Sequence, residues 1–337
     1  MNTDKTRAQQ LLRFGSYLCS SVFICGLNVF SHVALAQANY PAKPIRFIAP
    51  FPPGGNTDLL ARLIAQKLSE AWGQQVIVEN RGGAGGAIGV ELAAKAPPDG
   101  YTIVMGHVGT FGANPTLYPK LAYDAIRDFA PVTLLALVPN GMVVHPSFPA
   151  RNARELLAFA RAKPRLILYG SGGSGSATHL AVVYLELAAK VEFTHIPYKG
   201  AGPNVIDLIA GHITMTMAGM PALMPHIQSG KLRALGVATA KRLAVLPEVP
   251  TIAESGVPGF AANQWYGVLT QAAVPRDIVM KLNAEIVKIL KRADVKQRLA
   301  ADGAEPMANT PEQFAEYIKT EIARWAPVVK ASGAKPE

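Results

Sequence analysis

Two stretches of this sequence have the composition of an anion site. The first is Pro50-Phe51-Pro52-Pro53-Gly54-Gly55-Asn56-Thr57, which follows the apolar run Ile45–Ala49 and precedes Leu59, Leu60, Leu63, Ile64 and Leu68 at helical spacing. A strand that turns through glycines into a helix aims backbone N–H groups, and the positive end of the helix, at the crevice beyond the strand. No Gly-Lys-Ser/Thr follows Gly54 and Gly55, so the loop is not a nucleotide phosphate loop. The second stretch, Gly170-Ser171-Gly172-Gly173-Ser174-Gly175-Ser176-Ala177-Thr178-His179, is rich in hydroxyls and backbone donors and also opens a helix. That suits a carboxylate, which accepts several charge-assisted hydrogen bonds of roughly 1.5–3 kcal/mol each.

Other chemistries find less support. Gly83-Ala84-Gly85-Gly86-Ala87-Ile88-Gly89 has the wrong spacing for a dinucleotide fingerprint, and no acidic residue ends the next strand. Ser174 lacks the second glycine of a nucleophile elbow. His107, His145, His179, His195, His212 and His226 are scattered singly, without metal-ligand spacing. His107 and His179 stand apart because each falls at the cleft-facing end of a loop.

The elements that must carry these loops follow from the hydrophobic pattern. Strands over Ile45–Ala49, Val76–Val78 and Thr102–Met105 alternate with helices, which predicts a parallel, doubly wound sheet. After Val132–Leu137 and Met142–Val144, a capping box at Asn152-Ala153-Arg154-Glu155 starts a second alternation. Its strands are expected near Leu166–Tyr169, Phe193–Ile196, Ile213–Met217 and Ala234–Ala238, and its helices over Thr178–Ala189 and Pro203–Ala210. A strand at Trp265–Thr270 and two long helices follow, the last opened by a capping box at Thr310-Pro311-Glu312-Gln313. The expected organisation is two α/β lobes, residues 37–141 with 262–337 and residues 142–261, around a hinged cleft.

The 337 residues are 50% hydrophobic and 17% charged, enough to bury a sizeable core, with 30 Gly and 26 Pro spread over many tight turns. Residues 1–36 read as a secretory leader: Lys5, Arg7 and Arg13 precede the apolar run Tyr17–Phe30 and the small triplet Ala34-Leu35-Ala36. Cleavage there leaves a soluble periplasmic chain starting at Gln37. It would have no cysteine, since Cys19 and Cys25 lie in the leader, and thiol chemistry and disulfides are excluded. The net charge is +10 and the pI about 9.6. The densest basic cluster, Lys281 to Arg298, is broken by Glu285 and Asp294 on a helix, the pattern of a solvated face and not of a nucleic-acid surface.

Several motifs in fixed order then carry a resemblance. They are Pro50-Phe51…Gly54-Gly55-Asn56-Thr57-Asp58…Arg62, Val78-Glu79-Asn80-Arg81…Gly85-Gly86, Pro98-Asp99-Gly100-Tyr101-Thr102 and Asp128-Phe129-Ala130-Pro131. Ser174-Gly175-Ser176…His179-Leu180, His195-Ile196-Pro197-Tyr198-Lys199-Gly200 and Pro250-Thr251…Glu254…Gly256 complete the set. Together they resemble the Bug family of extracytoplasmic solute receptors, the binding proteins of tripartite tricarboxylate transporters. The resemblance implies a type II periplasmic-binding-protein fold, α/β, with two lobes around a ligand cleft and no catalysis, cofactor or metal. It implies a small carboxylate as ligand, the transporter's membrane subunits as partners, no nucleic acid, and a monomer. A sensor of the same fold that signals to a membrane partner is the alternative. The residues expected at the ligand are Phe51, Gly55, Asn56, Thr57, Asp58 and His107 from the first lobe, and Ser171, Ser174, Ser176, Thr178 and Tyr198 from the second. Thr214 and Thr216 depart from the family, which usually has an acidic residue there.

Overall fold

The computed structural model describes residues 40–335. The expected leader and cleavage site, with Cys19 and Cys25, lie outside the described residues. From Pro44 onward the chain forms one compact unit built on two sheets, each with its own core.

In the first sheet, β1 (Ile45–Ala49) leads to helix α1 (Asn56–Trp72), β2 (Val76–Asn80), α2 (Ala87–Ala94) and β3 (Thr102–His107). The intervening helices force parallel pairing, and β1 runs parallel to both β2 and β3. A π-helical turn, Val108–Ala113, and the short α3 (Asn114–Leu117) then lead to β4 (Phe129–Val138). The chain crosses at Pro139 into the second sheet. There β5 (Asn140–Val144), α4 (Ala153–Ala162), β6 (Leu168–Ser171), α5 (Ala177–Ala189), β7 (Thr194–Pro197), α6 (Ala201–Ile209), β8 (Met215–Gly219), α7 (Met220–Gln228) and β9 (Arg233–Val237) follow in turn. A long connection returns to the first sheet, which receives β10 (Gln264–Gln271), then α8 (Arg276–Lys291), α9 (Ala293–Ala301), β11 (Glu305–Pro306) and α10 (Pro311–Ala331).

The strand orders are β2-β1-β3-β10-β4-β11 and β7-β6-β8-β5-β9. The expected parallel sheets are in fact mixed. β10 lies antiparallel between β3 and β4, and β5 antiparallel between β8 and β9. These are the first strands after each crossing between sheets, and neither is joined to its sheet neighbours through a strand–helix–strand unit, so nothing imposes a parallel direction. A second difference is α7, which fills the stretch between the expected strands Ile213–Met217 and Ala234–Ala238, where no element was expected. Pro221 sits in its first turn, where a missing N–H costs nothing, although Pro225 lies inside the helix.

The first core gathers Ile48, Val104, Phe111, Trp265, Leu269, Phe314, Ile318 and Trp325. Phe314 and Ile318 come from α10, whose start is fixed by the expected capping box: Thr310 Oγ1 accepts from Gln313 N–H, and Gln313 Oε1 from Thr310 N–H. Gly267 of β10 admits the Phe314 ring, since a Cβ there would lie 2.2 Å from it. Buried Glu321 accepts hydrogen bonds from the indoles of both Trp265 (3.0 Å) and Trp325 (2.9 Å), and it pairs with Arg324. The second core holds Met142, Leu156, Tyr169, Leu185, Met215 and Phe260. Ala177 and Leu180 of α5 pack in the first core instead, so this helix bridges the lobes. Among the described residues, no helix is long and apolar enough to cross a membrane.

Candidate functional site

The turn between β1 and α1 is braced from behind. Asp58, in the first helical turn, accepts from Gly54 N–H (3.1 Å) and Asn80 Nδ2 (2.9 Å) and pairs with Arg62 at 2.9 Å. Asn80 Nδ2 also donates to the Phe51 carbonyl. Burial alone would raise the Asp58 carboxyl, but the bonds from Arg62, Gly54 and Asn80 hold it below its ordinary value. Its charge is therefore spent on fixing the loop. Gly55 caps α1 without any side-chain bond, so the first N–H groups of the helix are left for the crevice.

The matching turn in the second lobe is held by its own hydroxyls. Thr178 Oγ1 accepts from Gly172 N–H at 2.7 Å and lies 3.0 Å from Ser176 Oγ, which caps α5 by accepting from His179 N–H. Ser171 Oγ accepts from Gly173 N–H and sits 2.6 Å from His195 Nε2. His179 and His195 stack at 4.3 Å, and Tyr169 stacks on His195 at 4.9 Å. His179 Nδ1 accepts from Gly175 N–H, which leaves its proton on Nε2. Burial, with His195 beside it, lowers His179 to about 3.

Between the turns lies a narrow cavity of about 30 Å³. The first lobe contributes Phe51, Gly55, Asn56, Thr57 and His107 to its walls, together with Gln264 and Tyr266 at the start of β10. The second lobe contributes Gly172, Ser176, Ala177, Thr178 and Ala201. Three helices, α1, α5 and α6, begin at this wall, and α6 has no side-chain cap either. None of the lining side chains is a carboxylate, a lysine or an arginine. His107 is neutral there: its Nδ1 accepts from Gly109 N–H at 2.7 Å, and burial lowers it to about 3. Its ring stands between Phe51 (4.7 Å) and Tyr266 (5.9 Å). Such a chamber offers a negative group converging N–H and O–H dipoles, with no counter-charge.

The lobes meet closely over the cavity. Asn56 Oδ1 accepts from Ala222 N–H of the second lobe at 3.0 Å. A Cβ on Gly200 would lie 2.7 Å from the Pro52 ring, and one on Gly202 2.7 Å from the Pro53 carbonyl oxygen. Glycine at these two places is what permits the approach.

Of the residues expected at the ligand, Phe51, Gly55, Asn56, Thr57, His107, Ser176 and Thr178 line this cavity. Asp58 faces Arg62 and Asn80, Ser171 faces His195, and neither lines it. Ser174 is not among its walls, and Tyr198 lines a neighbouring cavity while donating to Asp207 at 2.7 Å. Thr216 lies buried beneath, donating to the Gly170 carbonyl and accepting from Asn204, while Thr214 Oγ1 accepts from Leu168 N–H. Gly172 and Ala177 belong to the second glycine-serine loop, whereas Gln264, Tyr266 and Ala201 escape sequence reasoning. Gln264 and Tyr266 begin a strand 200 residues beyond the first loop with no motif around them, though Ala201 could have been found from the Gly200 helix start.

Thr178→Val keeps the side-chain shape but removes the acceptor for Gly172 N–H. The expected loss is about 1–3 kcal/mol of stability, the cost of an orphaned buried donor, seen in denaturant melts. An unchanged midpoint would mean the hydroxyl does not hold the turn.

Residues 60–334 match the family model described as tripartite tricarboxylate transporter family receptor. The chain is 39% identical over 315 residues to Protein BugT of Bordetella pertussis, covering 93% of this chain and 96% of that protein. Among solved structures it is similar to Rpa4515 of R. palustris with adipate: 38% identity, TM-score 0.86, 88% of this chain and 100% of the other. It is also similar to MatC from Rhodopseudomonas palustris with bound malate, at 34% identity and TM-score 0.82, covering 86% and 100%. With a family model spanning most of its length, and two lobes closing on a neutral donor-lined chamber, the chain belongs to the Bug family of tripartite tricarboxylate transporter receptors.

Proposed function

We propose that this protein is a periplasmic receptor that closes its lobes, residues 37–141 with 262–337 and residues 142–261, on a small carboxylate for the membrane subunits of a tripartite transporter. The observation that carries this reading is the inter-lobe cavity, where three helix starts converge and no charged side chain competes for the anion. Adipate and malate on two relatives point to the same ligand class. The leader pattern in residues 1–36 supports export, and we take the exported form to be a monomer starting at Gln37. Phe51, Gly55, Asn56, Thr57, His107, Ser176 and Thr178 are the residues we assign to the ligand, with Gln264 and Tyr266 added. Asp58 and Ser171 act on the ligand through the loops they hold.

A thermal-shift series with adipate, malate and their methyl esters tests this. Ligand at a hundredfold excess over Kd stabilises the folded form by about 2.7 kcal/mol, so a bound acid raises the melting temperature while its ester does far less. Equal stabilisation by acid and ester would remove the anion site.

A further inference from the structure

We infer that Asn140, Gln264 and Tyr266 form a hydrogen-bonded relay that ties the cavity to the two crossings between the lobes. They act as positioning residues for lobe closure. The inference rests on the receptor reading only for what fills the cavity.

The chain passes between the sheets at Pro139 and again on its return before Gln264. Asn140 is the first residue after one crossing, and Gln264 the first strand residue after the other. Asn140 Nδ2 donates to the Ala262 carbonyl at 2.7 Å. Gln264 Nε2 donates to Asn140 Oδ1 at 2.5 Å, and the Tyr266 hydroxyl donates to Gln264 Oε1. All three side chains are at most 3% exposed. Each bond runs in one direction only, so removing a middle member orphans buried groups on both sides, and such a chain behaves as a unit.

The relay reaches the cavity and comes back. Gln264 and Tyr266 line the cavity, and the Tyr266 oxygen faces the side chains of Asn56 and Thr57. Asn56 accepts from Ala222 N–H across the lobes. Its amide also crowds Gly219, where a Cβ would lie 2.0 Å away, and Gly219 is the register partner of Asn140. First-lobe Gln264, Tyr266 and Asn56 and second-lobe Ala222, Gly219 and Asn140 thus form one closed circuit that crosses between the lobes twice, at Gln264–Asn140 and at Asn56 with Ala222 and Gly219. Rotating the lobes apart cannot leave that circuit intact. A molecule in the cavity touches three members of it, so it favours the arrangement in which the hinge segments are tied. Asn140, which does not line the cavity, shares in that coupling only through the relay.

The test measures lobe separation directly. The full chain, expressed with its leader and carrying Cys19→Ser and Cys25→Ser, receives spin labels at exposed Lys95→Cys and Lys231→Cys, one on each lobe. Distance distributions are recorded without ligand and with adipate. In this background Asn140→Ser and Gln264→Met are expected to raise the open-to-closed ratio roughly tenfold, the equivalent of about 1.4 kcal/mol. The double variant should be no more open than the worse single one, because both break the same unit. Gln264→Glu adds a readout that loss of packing does not produce. An ionised carboxylate cannot donate to Asn140 and opens the lobes at pH 7.5, whereas the neutral acid supplies the one donor and one acceptor that the relay uses and restores closure at pH 5, each relative to the unsubstituted background at the same pH, where buried His107 faces Tyr266. Folded variants with wild-type distributions, additive single effects, or a Gln264→Glu profile without pH dependence would each overturn the relay. Opening in the variants without adipate binding anywhere would leave the relay standing and weaken the receptor reading, while adipate binding with unshifted distributions would do the reverse.

Discussion

Between pH 6.5 and pH 4.5 the protein is expected to lose several kcal/mol of stability through two imidazoles. His107 and His179 are each lowered from an ordinary 6.5 to about 3, chiefly by burial. Below 6.5 the unfolded chain takes up a proton at each site and the folded chain does not. The unfolded state then binds more protons, and stability falls as pH falls, by about 1.4 kcal/mol per pH unit per group, until the folded values are reached. Both Nδ1 atoms accept backbone N–H bonds from the turns they serve, at Gly109 and Gly175, so a forced proton breaks the turn as well. Asp58, held low, adds nothing in this window, because its contribution is lost only below its ordinary 3.8. Glu186, raised by burial above its ordinary 4.5, works in the opposite sense inside this window and offsets part of the loss. Thermal melts from pH 4.5 to 7.5 check the slope, and His179→Gln should remove about half of it. A flat profile in the wild type would rule out neutral buried imidazoles.

The second large effect concerns closure. Gly202→Ala places a methyl group 2.7 Å from the Pro53 carbonyl oxygen of the other lobe, a backbone atom that has no rotamer to move. Gly202 lies inside α6, where alanine is the better helix former by roughly 0.5–1 kcal/mol, so the second lobe itself should be no less stable. Carboxylate affinity should nevertheless drop at least about tenfold, since the bound state needs the approach that glycine allows. Calorimetry with adipate, beside a denaturant melt, separates the two. Unchanged affinity would mean that the lobes hold ligand without meeting at Gly202.

Much of the scaffold was legible because local patterns decide it. The apolar run at Ile45–Ala49, the capping boxes at Asn152 and Thr310, and both glycine loops before helices are signals confined to a few residues. What was not legible depends on chain segments far apart. Nothing around Trp265 says that its strand will insert antiparallel between β3 and β4, because the reason lies in the return from the second lobe. The same holds at the site. Asn56 reads as a loop residue near a ligand, but its bond to Ala222 spans a sequence separation of 166 and exists only once the intervening chain has folded. Ser171 and His195 belong to different motifs of the sequence, and the parallel pairing of β6 with β7 brings them together. Asp58, expected at the ligand, is a carboxylate beside an anion site. Its three partners resolve why a carboxylate belongs there.

Glu321 holds both Trp265 and Trp325 by their indole N–H groups, and Trp325 also meets Tyr184 of the second lobe edge-on at 6.5 Å. Arg324, next to it, reaches the Ala261 carbonyl on the return crossing. The two tryptophans are thus pinned to the first lobe by one carboxylate, and the Tyr184 ring of the second lobe packs on the edge of Trp325. In a Trp72→Phe background the emission of Trp325 is expected to be a built-in optical gauge of the angle between the lobes: opening that withdraws Tyr184 and admits water to the Trp325 edge shifts the spectrum to the red without any attached dye.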